Sequence, residues 1–147
     1  SKELEKHGLY CGYHNHAKEL ASGPTKTGKV WWDLFAERTD KRVVLQQDVG
    51  WTWVAGRDPV EFVKKYPGRT LTTHFKGKIP KGVKGTKPFV GENGPDWKPL
   101  IKACHEYGAT EWFSVEQEDY PDGMTPIECV ERSFNNLMKL LKEMGYR

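Results

Sequence analysis

The chain has 147 residues, a formal net charge of +3 and a hydrophobic content of 37%. This length is enough for one compact domain with its own core, but a mean hydropathy of −0.74 is polar for such a domain and suggests that another chain or a missing segment completes its apolar surface. No stretch approaches the roughly 20 apolar residues of a membrane span, and the slight basic excess gives little support to nucleic acid as a partner.

Short β-rich runs alternate with segments of helical periodicity along the first half of the chain. Asp58 and Pro59 indicate a helix start, because aspartate is a favoured N-cap and proline fits the first helical position. The elements predicted here are the end of a helix over residues 1–7, a strand over 9–16, a helix over 30–38, a strand over 42–49 and a helix over 59–66.

The second half continues the alternation and contains one long loop. A third strand is predicted over residues 70–75, and a glycine-rich loop follows over 76–95. Asp96 then caps a helix that ends at Gly108, and Thr125 with Pro126 opens the last helix, which closes at Gly145. A fourth strand over 111–116 lies between these two helices.

This order predicts an α/β fold with a parallel sheet and right-handed crossovers. Four βα units are half the content of a (β/α)8 TIM barrel, which usually has about 250 residues. The rival interpretation is an open four-stranded sheet. The sequence has neither GxGxxG nor GxxxxGK[ST], which argues against a doubly wound nucleotide-binding domain.

Five lysines lie in or beside the long loop: Lys76, Lys78, Lys81, Lys84 and Lys87. A solvated loop is the first interpretation of this basic run. A site for an anionic substrate group comes second, and nucleic-acid binding third, since no aromatic stacking platform accompanies the lysines.

Each predicted strand ends in a side chain that can bind a metal ion. These are His14 (with His16 close by), Asp48, His74 and Glu116. In a parallel barrel the carboxyl ends of the strands meet at one face, where active sites lie. Two imidazoles and two carboxylates suit Mn²⁺, Zn²⁺, Co²⁺ or Fe²⁺. Any one of them alone would more simply be a hydrogen-bonding or capping residue.

Six motifs in order resemble the sugar phosphate isomerase/epimerase family, which has the xylose isomerase-like TIM barrel. They are GYHNHAKEL (12–20), VVLQQDVGW (43–51), AGRDPVEFVKKYPGR (55–69), THFKG (73–77), VGENGPDW (90–97) and EWFSVEQE (111–118). The resemblance covers almost the whole chain. It implies that residues 1–147 form a single domain, the C-terminal half of such a barrel.

The resemblance implies a divalent metal, Mn, Zn, Co, Mg or Fe, held by His14, Asp48, His74 and Glu116. Many relatives place Glu where His14 stands, so His16 is the alternative ligand. Two further departures bear on the substrate. Trp51 stands where some sugar epimerases have His, and either stacks on a sugar or packs under a loop. Relatives often read His-Leu-Lys-Asp after the third strand, where this chain has His74-Phe75-Lys76-Gly77. The Asp is missing, but Lys76 keeps its place and is a candidate contact for a substrate oxygen or phosphate.

The resemblance also implies proton transfer at a carbon next to a carbonyl group, as in sugar isomerases, epimerases and related dehydratases. Glu116 resembles the residue that is both ligand and base, and Glu19 resembles the second carboxylate, although a surface acid in the loop after the first strand is an equal interpretation. His16 orients the substrate or relays a proton. Glu118 and Asp119 are interpreted as solvated loop acids. The implied partner is a small sugar or sugar-derived molecule.

Two other classes of function stay open. The first is an inactive or structural half-barrel that self-associates or pairs with a separate half, because exposed sheet edges invite pairing. The second, a metal-dependent endonuclease for damaged DNA, lacks the strongly basic face that it needs. Cys11, Cys104 and Cys129 are scattered and predict reduced thiols. With no visible signal peptide we expect a cytoplasmic protein, although Ser1 suggests that an upstream segment is missing.

Overall fold

The computed structural model describes residues 1–21, 28–84, 87–121 and 123–146. One parallel four-stranded sheet forms its centre, and the strands lie side by side in chain order. This sequential parallel order confirms the α/β half-barrel prediction, because barrel strands follow one another without the reversal of a doubly wound sheet. The strands are β1 (Gly12–His14), β2 (Val44–Asp48), β3 (Thr72–Phe75) and β4 (Trp112–Val115).

The helices follow the predicted order with two additions. They are α1 (Lys2–Glu5), α2 (Ala17–Leu20), α3 (Trp31–Arg38), α4 (Val49–Val54), α5 (Pro59–Lys65), α6 (Trp97–Ala103) and α7 (Pro126–Glu143). The sequence did not predict α2 and α4. A π-helical turn, Cys104–Gly108, extends α6 to the predicted end at Gly108. Within the described residues, no helix is long and apolar enough to cross a membrane.

Helix starts follow the predicted capping chemistry in two of three cases. The Asp58 side chain accepts a hydrogen bond from the backbone N–H of Val60, and Thr125 forms a capping box with Glu128 at the start of α7. Asp96 precedes α6 as predicted, but its side chain makes no capping hydrogen bond. Of the predicted loop 76–95, residues 85 and 86 lie outside the described part of the chain.

The core lies between the sheet and the helices, in two buried clusters. One surrounds Phe75 and Leu100 and includes Leu137 of α7. The other joins Leu45 of β2 to Trp32 of α3. The three cysteines are free of disulfides, and burial raises the pKa of the Cys104 thiol to about 12.

The opposite, inner face of the sheet is polar at one end and open at the other. Side chains alternate between the two faces of a strand, so Leu45 enters the core while Gln46 and Asp48 share the inner face. Register pairs place Gln46 beside His14 and Asp48 beside His74. Trp112, at the start of β4, remains 68% exposed. The strand ends thus gather polar groups on a face that no described helix covers.

Candidate metal centre

The four predicted metal ligands converge at the carboxyl ends of the strands. His14 and Asp48 are the last residues of β1 and β2, His74 lies next to the end of β3, and Glu116 directly follows β4. One ligand atom from each of the four lies within 4.8 Å of the corresponding atoms of the others. Parallel pairing in register produces this convergence, although His74 and Glu116 alone are 42 residues apart along the chain.

Asp48 is the centre of this group. Its Oδ2 lies 3.8 Å from Nε2 of His14 and 4.0 Å from Nδ1 of His74. The same Nδ1 of His74 is in direct contact with Oε2 of Glu116. The two histidine rings are 4.4 Å apart between centroids. The four side chains therefore surround one small volume.

A buried hydrogen-bond network fixes Asp48. Its backbone N–H donates to Oδ1 of Asn15 at 2.9 Å, and its own Oδ1 accepts from the backbone N–H of Trp51 at 2.8 Å. The Thr52 hydroxyl donates to the Asp48 carbonyl oxygen at 2.7 Å. Asn15 and Thr52 are fully buried. Sequence reasoning missed both, and the only signal was the position of Asn15 between two histidines.

Lys76 places a buried ammonium group among the carboxylates. Its side chain is 1% exposed, and Nζ lies 2.9 Å from Oδ2 of Asp48 and 3.0 Å from Oε2 of Glu116. A third carboxylate oxygen, Oε1 of Glu118, is 3.1 Å away. Gly50 leaves room for it, because a Cβ there would lie 2.7 Å from the Lys76 carbonyl oxygen and 3.1 Å from its side chain. Lys76 thus lies beside the strand ends, as predicted, and its ammonium group forms ion pairs with three carboxylates.

Glu118 and Asp119 are exposed, as expected of loop acids, but both also form ion pairs with a lysine. Lys78 donates to Oε2 of Glu118 at 3.0 Å and to Oδ2 of Asp119 at 3.1 Å. Lys76 and Lys78 are both buried, whereas Lys81 is exposed, so the solvated-loop interpretation holds only for the later lysines. Acids after β4 thus neutralise the lysines after β3.

Aromatic rings border the centre on the side of β1 and α4. Trp51 lies under Lys78, whose Nζ is 4.1 Å from the ring centroid. The His16 ring is 5.6 Å from Trp51 and 5.0 Å from His14. Trp51 Nε1 is buried and has no hydrogen-bond acceptor among the described residues. The rim therefore offers one free N–H donor and a flat aromatic surface.

Both carboxylate oxygens of Glu19 accept hydrogen bonds, one from the start of α2 and one from β1. Its Oε2 accepts the backbone N–H of His16 at 2.8 Å and its Oε1 accepts the hydroxyl of Tyr13 at 2.9 Å. Burial acts to raise the pKa of Glu19, but hydrogen bonds to the backbone, including that of His16, lower it overall. Its predicted role as the second carboxylate stays a prediction, and these bonds would have to be exchanged for substrate contacts.

The charge states of the centre are set by burial and by the mutual contacts. Burial raises the pKa of Asp48 despite the opposing hydrogen bond from Trp51. Burial, followed by the neighbouring His74, lowers the pKa of His14. For Glu116 burial acts to raise the pKa, but the close contacts with the Lys76 ammonium and with His74 outweigh it and lower the pKa. A neutral His14 imidazole and an ionised Glu116 are the forms that bind metal ions.

The donor set fits a divalent cation. Two imidazole nitrogens and two carboxylate oxygens are the mixed N/O ligands of Mn²⁺, Zn²⁺, Co²⁺ and Fe²⁺ sites. Among the described residues the buried Oδ2 of Asp48 accepts no hydrogen bond, and the closest of its ion-pair partners is the Lys76 ammonium, 2.9 Å away. A buried carboxylate oxygen without a hydrogen bond is costly unless a cation compensates it.

Comparison with curated proteins finds inosose dehydratases among the relatives of this chain. No family model matches the sequence. An inosose dehydratase of Clostridium botulinum (strain Alaska E43 / Type E3) is 28% identical over 137 residues, which are 82% of this chain and 44% of that protein. An inosose dehydratase of Klebsiella pneumoniae (strain 342) is 27% identical over 139 residues, again 82% of this chain and 45% of that protein. The chain spans less than half the length of these relatives.

Solved structures point to the family predicted from the motifs. A sugar phosphate isomerase/epimerase of Parabacteroides distasonis ATCC 8503 superposes with a TM-score of 0.70 at 28% identity, over 90% of this chain and 46% of that one. A second such structure from the same organism gives a TM-score of 0.73 over 95% of this chain and 49% of its own. The resemblance to the sugar phosphate isomerase/epimerase family, with its xylose isomerase-like barrel, is confirmed.

Proposed function

We propose that this chain carries the metal-binding half of an enzyme that transfers a proton at a carbon next to a carbonyl group of a sugar or sugar-derived ketone. The observation that carries the proposal is the convergence of His14, Asp48, His74 and Glu116 on one small volume at the strand ends. The family resemblance supplies the substrate class, and the inosose dehydratases among the relatives favour a polyhydroxylated ketone and a dehydration.

The four ligands would hold the metal ion through His14, Asp48, His74 and Glu116. When bound, a divalent ion would polarise the carbonyl group and hold a neighbouring hydroxyl group of the substrate. Asp48 is fixed by Asn15 and by α4, so it orients the set. Among the four candidate ligands, Glu116 has the most exposed side chain, at 33%. Glu116 is therefore the group open to a substrate.

Glu116 is the proposed base, since its lowered pKa keeps it ionised. It takes the proton from the carbon next to the carbonyl. In a dehydration the electron pair left on that carbon forms a carbon–carbon double bond while the C–O bond on the next carbon breaks. His16, exposed beside His14, would give a proton to the departing hydroxyl oxygen. Isomerisation and epimerisation share the first step and return the proton elsewhere.

Substrate contacts are proposed for the rim of the centre. Trp51 carries a flat ring, which suits the C–H face of a sugar, and a buried indole N–H with no acceptor among the described residues, which suits a hydroxyl group that enters the centre. Lys76 and Lys78 are the cations nearest to this ring. Lys76 is the candidate contact for a substrate oxygen. Glu19 contributes the second carboxylate only where it leaves its capping bonds.

The test is exchange of the proton next to the carbonyl. The chain is incubated with Mn²⁺ or Co²⁺ and inosose in D₂O, and deuterium incorporation and product are followed by NMR. We expect metal-dependent exchange that falls by about a hundredfold or more in Glu116→Gln, the scale of losing a general base. Glu106→Gln is the matched control, because Glu106 is a partly exposed carboxylate on the π-helical turn that pairs only weakly, with Lys102.

Exchange that continues undiminished in Glu116→Gln, or after the metal is chelated, would contradict the proposal. The second candidate, a structural half-barrel that is inactive alone, is favoured by a specific feature. The inner face of the sheet is open, and Trp112 there is 68% exposed. That candidate is supported by metal binding without exchange by the chain on its own.

A further inference from the structure

We propose that Lys76 is a built-in counter-cation that occupies the metal position in the metal-free protein, and that Glu118 is the carboxylate that receives it when a metal ion binds. The inference rests on the proposed function for the metal site itself. It assigns roles to two residues that are not metal ligands.

The first argument is the identity of the oxygens involved. Lys76 Nζ lies 2.9 Å from Oδ2 of Asp48 and 3.0 Å from Oε2 of Glu116. The same two oxygens make the close approaches to the histidine ligands. A divalent ion bound by this set would also take these oxygens, and a second cation as close to them as Lys76 Nζ would repel it. Metal binding and the present position of Lys76 are therefore alternatives.

The second argument is burial. Lys76 is 1% exposed, among the most buried large side chains of the protein. A buried ammonium is costly unless carboxylates surround it, so Lys76 cannot simply move into an apolar space when it leaves Asp48. Gly50 and the Lys76 backbone are in close contact, which limits movement of the strand end. The ammonium needs another buried or half-buried carboxylate within reach.

Glu118 is that carboxylate. Its Oε1 is already 3.1 Å from Lys76 Nζ, while its Oε2 accepts from Lys78. A small rotation of the lysine side chain exchanges contacts with Asp48 and Glu116 for a closer contact with Glu118. Because Lys78, which also pairs with Asp119, holds the other carboxylate oxygen of Glu118, Glu118 is a fixed acceptor.

The charge of the whole group supports coexistence of the metal and both lysines. Four carboxylates, Asp48, Glu116, Glu118 and Asp119, contact two ammonium groups, Lys76 and Lys78. With neutral histidines the group carries two negative charges in excess, which one divalent cation neutralises. Lys76 therefore stays in the group after it leaves the metal position, and Glu118 is its positioning residue.

The experiment measures Mn²⁺ affinity by calorimetry and the Co²⁺ absorption spectrum, in matched pairs of variants. Lys76→Met removes the competing cation, so we expect Mn²⁺ affinity to rise by about tenfold or more, which corresponds to a modest change in binding free energy. Lys78→Met removes the same charge from a residue that contacts Glu118 and Asp119 but makes no described contact with Asp48 or Glu116. It should change affinity by less than about threefold.

A second pair tests the receiving carboxylate. Glu118→Gln should weaken Mn²⁺ binding by about tenfold, because the displaced ammonium loses its acceptor. Asp119→Asn should not, because among the described residues the Asp119 carboxylate pairs with Lys78 and not with Lys76. In the Lys76→Met background the effect of Glu118→Gln should vanish. A merely structural role for Glu118 would weaken binding equally in both backgrounds.

Equal gains in Lys76→Met and Lys78→Met would overturn the inference, since net charge alone would then explain them. A loss of affinity in Lys76→Met would do the same. If Lys76→Met does not fold, the ¹³Cε resonance of Lys76 in the wild-type chain decides. It should shift on Zn²⁺ addition while that of exposed Lys81 stays, and an unchanged Lys76 resonance refutes displacement. Failure of proton exchange with this affinity pattern intact would remove the proposed function and leave the inference.

Discussion

Asp48 performs two tasks with one carboxylate. Oδ1 accepts the Trp51 N–H and begins α4, while Oδ2 faces the histidines and Lys76. The capping bond is charge-assisted and fixes the side-chain rotamer. Because the backbone of Asp48 is also held by Asn15, the free oxygen is presented to the centre with little freedom.

The convergence of the four candidate ligands could be predicted from the sequence because their position repeats. Each stands at, next to or directly beyond the end of a β-rich run, and parallel pairing makes those ends neighbours. The lysine–carboxylate group could not be predicted in this way. Lys78 and Glu118 are 40 residues apart and both lie in loops, where charged side chains are ordinarily solvated. Only the three-dimensional arrangement of the two loops buries the lysines and pairs them.

His74→Ala tests the ligand set directly. We expect stoichiometric Mn²⁺ or Co²⁺ binding to weaken by about a hundredfold or more, because even residues that only support metal ligands contribute up to that factor. The fold should survive, since the His74 side chain is 25% exposed and lies outside the two core clusters. Calorimetry with each metal and far-ultraviolet circular dichroism check both expectations.

His7→Ala is the control for this substitution, because His7 is an exposed histidine beyond the end of α1. Its metal affinity should equal that of the wild-type chain. Metal content that stays unchanged in His74→Ala would remove His74 from the site, and the proposed centre would then need another ligand.

At the scale of the elements, α4 is a helix that the sequence did not predict, and it packs closely against the end of β3. Its sequence, VGWTWV, contains a glycine and β-branched and aromatic residues, which intrinsic propensity assigns to strands or turns. The helix forms because Asp48 caps it and because two of its own side chains, Val49 and Thr52, are buried. Tertiary packing thus overrides propensity, and a periodicity argument cannot find so short a helix. The longer α7, with its capping box and regular apolar spacing, was predicted closely.

Gly50→Ala tests the contact between α4 and the end of β3. Inside a helix, replacing glycine by alanine ordinarily stabilises by up to about 1 kcal/mol. Here the added Cβ would lie 2.7 Å from the Lys76 carbonyl oxygen, which is backbone and cannot rotate away. We therefore expect the opposite sign, a loss of about 1 to 3 kcal/mol in the free energy of unfolding, measured by urea denaturation.

The same substitution should reach the metal centre, because moving the β3 end displaces Lys76 from Asp48 and Glu116. A change in Mn²⁺ affinity relative to the wild type is the expected second readout. A Gly50→Ala chain that is more stable than the wild type would show that α4 and β3 can separate freely, and the packing argument for Lys76 would lose its basis.

The whole molecule is asymmetric about its sheet. Helices and both core clusters cover the outer face, while the inner face carries the ligands at one end and a shallow concavity at the other. Tyr10, Leu71 and the starts of β1 to β3 line that concavity, and Trp112 stands at the start of β4. In the described sheet β1 and β4 are the edges. Exposed edges beside an apolar surface favour association.

The chain alone should therefore self-associate through the inner face. We expect sedimentation velocity to show a concentration-dependent dimer in the micromolar range, typical of modest interfaces, and Trp112→Gln to shift it to monomer. Trp31→Gln is the matched control, because Trp31 is also largely exposed, at 61%, but lies on α3 on the helical side. Trp112 contributes a large apolar area, and aromatic residues of this kind dominate interface energies. If the two variants dissociate alike, the association does not depend on Trp112 and lies elsewhere. A chain that stays monomeric at every concentration would exclude the association. The open face would then have to be stable in water through its polar residues alone.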